Sequence, residues 1–110
     1  MAYDEELAGR IRQLLADESL VTEKKMFGGL AFLVRGNMAI AASGQGGALV
    51  RCDPDETDAL VSTTPAERME MRGREMQGWL RISAQHLQTR ADLAHWVDVG
   101  ASYARTLPAK

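Results

Sequence analysis

The residues able to carry chemistry are few, and their spacing excludes more than it offers. His86 and His95 stand nine positions apart and Cys52 is the single cysteine, so neither a paired histidine helix nor a cysteine–histidine ligand set can be read, and no metal site is expected. His95 adjoins Trp96 at the margin of an apolar stripe, where a structural or solvated imidazole is the ordinary role. Arg51 would favour a thiolate at Cys52, yet no histidine motif accompanies the pair, and the thiol reads as a small buried hydrophobe. Asp53, Asp55, Glu56 and Asp58 are explained by a capped, solvent-facing helix without invoking acid–base catalysis. Ser43-Gly44-Gln45-Gly46-Gly47 lacks the third glycine of a dinucleotide loop and runs into Ala48-Leu49-Val50, a strand where phosphate binding needs a helix N-terminus. It is expected to be a mobile hairpin loop. No catalytic residue and no cofactor is assigned, and the chain is read as a non-enzyme.

Binding is better supported than catalysis. Lys24 and Lys25 lead into Met26-Phe27-Gly28-Gly29, which admits two readings: an anion-binding concavity of lysines and glycine N–H groups, or a bend between strands with the lysines blunting a sheet edge. Arg51, Arg72 and Arg74 extend the basic set. Met69, Met71 and Met76 surround Arg72-Gly73-Arg74, and six methionines balance two each of Phe, Trp and Tyr. Methionine either fills irregular cores or makes an adaptable partner surface. The candidate interaction or anion-binding residues are therefore Lys24, Lys25, Gly28, Gly29, Arg51, Arg72, Arg74 and Trp79.

These residues need elements to hold them. Leu7, Ile11, Leu14 and Leu15 fall on one helical stripe behind the acidic start Asp4-Glu5-Glu6, which predicts a helix over about residues 3–17. From Val21 the chain breaks into short apolar runs cut by glycine, a meander with strands over 30–34, 38–42 and 48–52. Gly36-Asn37 is read as a type II′ hairpin turn. Residues 30–34 are apolar on both alternating faces, which predicts a strand covered on two sides by helices or by a partner. Asp53-Pro54-Asp55-Glu56 starts a short helix to about Ser62, with Glu56 able to reach back as in a capping box. Strands over 67–72 and 77–82 follow. Thr89-x-x-Asp92 then opens a helix carrying Leu93, Trp96, Val97, Ala101 and Ala104 as far as Pro108. The order α, three or four strands, α, two strands, α makes an α+β domain, an antiparallel meandering sheet flanked by helices.

Composition sets the outer bounds. A chain of 110 residues, 45% hydrophobic and 25% charged, suits one domain spanning 1–110. Its net charge of −2 excludes a globally basic nucleic-acid binder. The charge is uneven: net −3 over residues 1–20, +3 over 21–52, and −4 over 53–62. The acidic amino end is unlike a signal peptide, no apolar run approaches the roughly 20 residues of a membrane span, and the lone cysteine suits the cytoplasm.

Three runs carry a resemblance. Glu23-Lys24-Lys25-Met26-Phe27-Gly28-Gly29-Leu30-Ala31-Phe32, then Gly73-Arg74-Glu75-Met76-Gln77-Gly78-Trp79, then Leu93-x-x-Trp96-Val97 through Tyr103-Ala104-Arg105-x-Leu107-Pro108 resemble the N-terminal domain of the TfoX/Sxy family of bacterial competence regulators. The resemblance covers nearly the whole chain. It implies an α+β fold of secretion-chaperone-like architecture and a role as a transcription co-activator that works with a protein partner, a transcription factor. Full-length regulators of the family carry a C-terminal domain after this one, and this chain, ending at Lys110, is expected to be a stand-alone member. The family supplies no catalytic residue. The expected function is a non-catalytic regulatory or protein-interaction module; the alternative is a small-ligand or nucleic-acid binder using the basic sheet. A homodimer is expected to cover the two-sided apolar strand.

Overall fold

The computed structural model describes residues 3–26, 28–71 and 73–110. Helix α1 (Glu5–Leu14) starts where the Asp4 carboxylate accepts the Leu7 N–H at 3.1 Å. It stops short of the expected Asp17, because Ala16 N–H bonds back to Gln13 and Glu18 N–H to Leu15, tightening the chain into turns that leave Leu15 buried. Strands β1 (Val21–Met26), β2 (Gly29–Val34), β3 (Asn37–Ala42) and β4 (Ala48–Arg51) follow as an antiparallel meander. After a 3-10 turn (Pro54–Glu56) come α2 (Thr57–Thr63), β5 (Glu67–Met71), β6 (Arg74–Ile82) and α3 (Arg90–Thr106). The six strands form one open sheet in the order β1-β2-β3-β4-β6-β5. The α+β class and the element order are as the sequence pattern predicts.

Two local expectations are corrected. The β2–β3 turn is Arg35-Gly36 rather than Gly36-Asn37: Val34 pairs with Asn37, and φ is +55° at Arg35 and +83° at Gly36, the two positive values of a type I′ turn. The left-handed Arg35 is held from both sides, its N–H donating to Leu20 O and its carbonyl accepting from Lys110 N–H, each at 2.9 Å. At the start of α2 the Asp53 carboxylate accepts from Asp55 N–H at 2.9 Å, but Glu56 makes no capping bond, so the capping box is absent.

The main core lies between the helices and one sheet face. Leu7 and Ile11 of α1 and Leu93, Trp96, Val97, Ala101 and Ala104 of α3 meet Phe32, Val34, Ile40, Val50, Leu80 and Ile82. Arg10 fixes α1 beside the start of α3 by donating to Leu87 O at 2.7 Å. The opposite sheet face forms a second, smaller cluster of Ala31, Met38, Ala41 and Leu49, with Met26, Leu33, Met69 and Trp79 packed against it. No helical residue belongs to that cluster among the described residues. β2 is therefore buried on both faces, as expected, but by helices on one side and by large side chains of its own sheet on the other.

Candidate functional site

The helix-free face is built by strand register. Lys24 of β1 lies opposite Ala31, Ala31 opposite Ala41, Ala41 opposite Leu49, Leu49 opposite Arg81, and Arg81 opposite Glu67. Opposed residues share a face of the pleat, so these six make one row across the whole sheet, apolar in the middle and charged at its ends. A second row carries Thr22, Leu33 and Met38, with Arg51 opposite Trp79 further along. The alanines are buried because Met26, Leu33, Met38 and Leu49 lean over them. Met26, Leu33, Met69 and Trp79 remain half-buried.

Trp79 is aimed by a bulge. Strand β6 slips from Leu80 opposite Arg68 to Met76 opposite Met69, and Gly78 takes φ +88°, which a side chain would strain. The bulge is anchored in the protein interior: Gly78 N–H donates to the Thr57 hydroxyl at 2.8 Å, and Gly78 O accepts from Cys52 N–H at 2.9 Å. The Arg51 guanidinium carbon then lies 5.3 Å from the Trp79 ring centroid and 5.6 Å from that of Tyr103, within cation–π reach of both. Arg81 donates to Ser43 Oγ at 3.3 Å, Gln45 O at 3.3 Å and Gly46 O at 3.2 Å. The Ser43–Gly47 loop, expected to be mobile, is clamped by this guanidinium and by the Ser43 N–H bond to Gly47 O at 3.0 Å.

The candidate residues divide. Lys24, Arg51 and Trp79 share the open face, and Arg74 joins them by register, two residues from Met76 and opposite Met71. Lys25 lies opposite Leu30, on the helix side. Gly28 sits in the β1–β2 turn, and Gly29 opens β2 opposite Met26. Because consecutive strand residues point to opposite faces, Lys24 and Lys25 cannot converge on Gly28 and Gly29, and the concavity gives way to a bend beside an edge strand carrying exposed lysines. Arg72 lies outside the described residues. Sequence reading did not place Arg81, Tyr103 or Thr57 in the site. Arg81 had a signal, since it stands two positions from Trp79 on the same strand; Thr57 and Tyr103 had none, being brought in by helices.

The family model of the TfoX N-terminal domain matches residues 13–104. The chain belongs to the TfoX N-terminal domain family. No curated protein sequence matches it significantly. In this TfoX N-terminal domain two of the residues that carried the resemblance now have physical roles: Gly78 makes the bulge, and Trp79 stacks beside Arg51 on the open face.

The remaining polar chemistry of the TfoX domain lies on the helix side. His86 and His95 border one cleft with Asp92 and Trp96, and the rings of His95 and Trp96 meet edge-on at 4.7 Å. Among the described residues no three His, Cys, Asp or Glu side chains are grouped to hold a metal ion. Burial pushes the Cys52 thiol above its ordinary pKa, with the Thr57 hydroxyl at 3.7 Å opposing the shift; the sulfur is a buried thiol and not a poised nucleophile. No helix of the described residues is long and apolar enough to cross a membrane.

Proposed function

We propose that this TfoX N-terminal domain is a non-catalytic regulatory module of the cytoplasm that binds another protein, of the transcription-factor class, through the open face of its sheet. One observation carries the reading: a sheet face without helices presents half-buried Met26, Leu33, Met69 and Trp79 beside Lys24, Arg51, Arg74 and Arg81. Methionine and aromatic side chains adapt to a partner and are enriched where proteins meet. The buried free Cys52 suits a reducing compartment.

Basic side chains on a sheet also suit a nucleic-acid backbone. That reading is weaker because Arg51 is engaged by two rings and Arg81 by three loop oxygens, and Lys25 is turned to the other face. Capture from native cytosol with and without nuclease separates the two. A protein partner stays bound after nuclease and is lost when Leu33→Gln and Met69→Gln are combined in a variant that keeps its circular dichroism. Release by nuclease, with a steep loss of binding in salt, would replace the protein reading by the nucleic-acid one.

A further inference from the structure

Folding sorts the charges of this chain by layer. Of its acidic side chains, Glu67 is the one that strand register puts on the open face, opposite Arg81, while Glu70 and Glu75, opposite each other, fall on the other face of the β5–β6 hairpin. Asp4, Glu5, Glu6, Asp17 and Glu18 belong to α1 and the turns after it; Asp53, Asp55, Glu56 and Asp58 to α2 and its 3-10 start; Asp92 and Asp98 to α3. Glu23 faces α1, where it pairs with Arg12 at 2.6 Å. A chain with a net charge of −2 thus has an acidic helical layer and a basic open face, Lys24, Arg51, Arg74 and Arg81 against Glu67. The field over that face favours negative charge, and its apolar floor requires apolar contact.

We infer that the open face receives an acidic amphipathic segment of another protein, its apolar stripe on Met26, Leu33, Met69 and Trp79 and its carboxylates against Lys24 at one end and Arg74 at the other. This rests on the reading of the open face as the binding surface. Strands spaced about 4.8 Å apart put the outer strands of a six-stranded sheet about 24 Å apart, a length covered by about 16 residues of helix. The row itself runs from Lys24 on β1 to Arg81 on β6 and Glu67 on β5, so the second basic end is Arg74, seven residues along β6 from Arg81, and the segment crosses the strands obliquely from Lys24 towards Arg74. A two-fold dimer through this face is disfavoured, since it sets basic rim against basic rim, and stacking an acidic helical layer on a basic face is a head-to-tail contact that gives a ring or a filament rather than a two-fold dimer.

The test selects displayed random peptides of about 15 residues on the full chain, then measures binding of the enriched peptides by fluorescence anisotropy. Enriched peptides are expected to combine acidic and large apolar residues. Their affinity should fall about tenfold or more when Lys24→Glu and Arg74→Glu are combined, fall with added salt, and hold in Lys25→Glu on the opposite face. Lys24 and Arg74 are exposed and in no ion pair among the described residues, so the reversal leaves the fold in place. Enriched peptides without an acidic excess, still lost with Leu33→Gln and Met69→Gln, would overturn the acidic partner and keep the binding face. Peptides indifferent to both pairs of substitutions, or no enrichment over bare support, would overturn the face itself. A dimer in sedimentation that the Lys24→Glu, Arg74→Glu variant strengthens would assign the face to a second copy.

Discussion

Replacing Thr57 by valine isolates the hydrogen bond that sets the Gly78 bulge. Thr57 is fully buried, and its hydroxyl accepts Gly78 N–H at 2.8 Å while donating to Asp53 O at 3.5 Å. Valine keeps the shape and removes the oxygen. Asp53 O loses little, because Glu56 N–H also donates to it at 2.9 Å. Gly78 N–H loses the hydroxyl partner in a buried position, which costs about 1–3 kcal/mol. At about 4–8 °C per kcal/mol for a domain near this size, Tm should fall by about 5–20 °C. Serine is the control, since it keeps the hydroxyl and loses a methyl group worth about 1 kcal/mol. The variants differ most in native-state hydrogen exchange: the Gly78 amide should exchange faster in Thr57→Val, beyond the change in global stability, and stay protected in Thr57→Ser. Wild-type Tm in Thr57→Val together with a protected Gly78 amide would refute the claim that Thr57 holds the bulge, and with it the account of how Trp79 reaches the open face.

Three further outcomes are expected. Trp96 is 4% exposed within the α3 stripe, so Trp96→Ala should lower unfolding free energy by about 3–5 kcal/mol in urea titration; a wild-type midpoint would mean the stripe is misassigned. Glu18 and Glu23 titrate below the ordinary 4.5, first through hydrogen bonds from Arg105 and Arg12. Their stabilisation is full above pH 4.5 and is lost as pH falls through the lowered values, so Glu18→Gln with Glu23→Gln should flatten the acid limb of stability in urea titrations from pH 6 downward; an unchanged limb would assign acid sensitivity elsewhere. Metal analysis of the purified protein should find no stoichiometric zinc, and one equivalent lost when His86, His95 and Cys52 are replaced together would overturn the argument from ligand spacing.

Elements with a purely local signal were legible before folding. The period of Leu93, Trp96, Val97 and Ala101 marks the buried stripe of α3, and Thr89 caps that helix as the T-x-x-D pattern requires, accepting Asp92 N–H at 3.0 Å. The apolar alternation of β2 foretold burial on both faces. Lys24 and Lys25 read as one basic pair in the sequence, and the pairing of β1 with β2 puts them on opposite faces. Register was beyond the sequence pattern: Arg35 occupies the left-handed turn position because Val34 pairs with Asn37 and because Leu20 and Lys110 hold its backbone, contacts that no local pattern encodes. The open face was settled only in three dimensions. Every helix packs into the core on one side of the sheet, which leaves Met26, Leu33, Met69 and Trp79 half-buried with no helix in their cluster among the described residues, and the partners that fix Gly78 and the Ser43–Gly47 loop come from Thr57 and Arg81, distant along the chain. Periodicity is carried by each segment alone, whereas which face stays bare depends on where separate segments land.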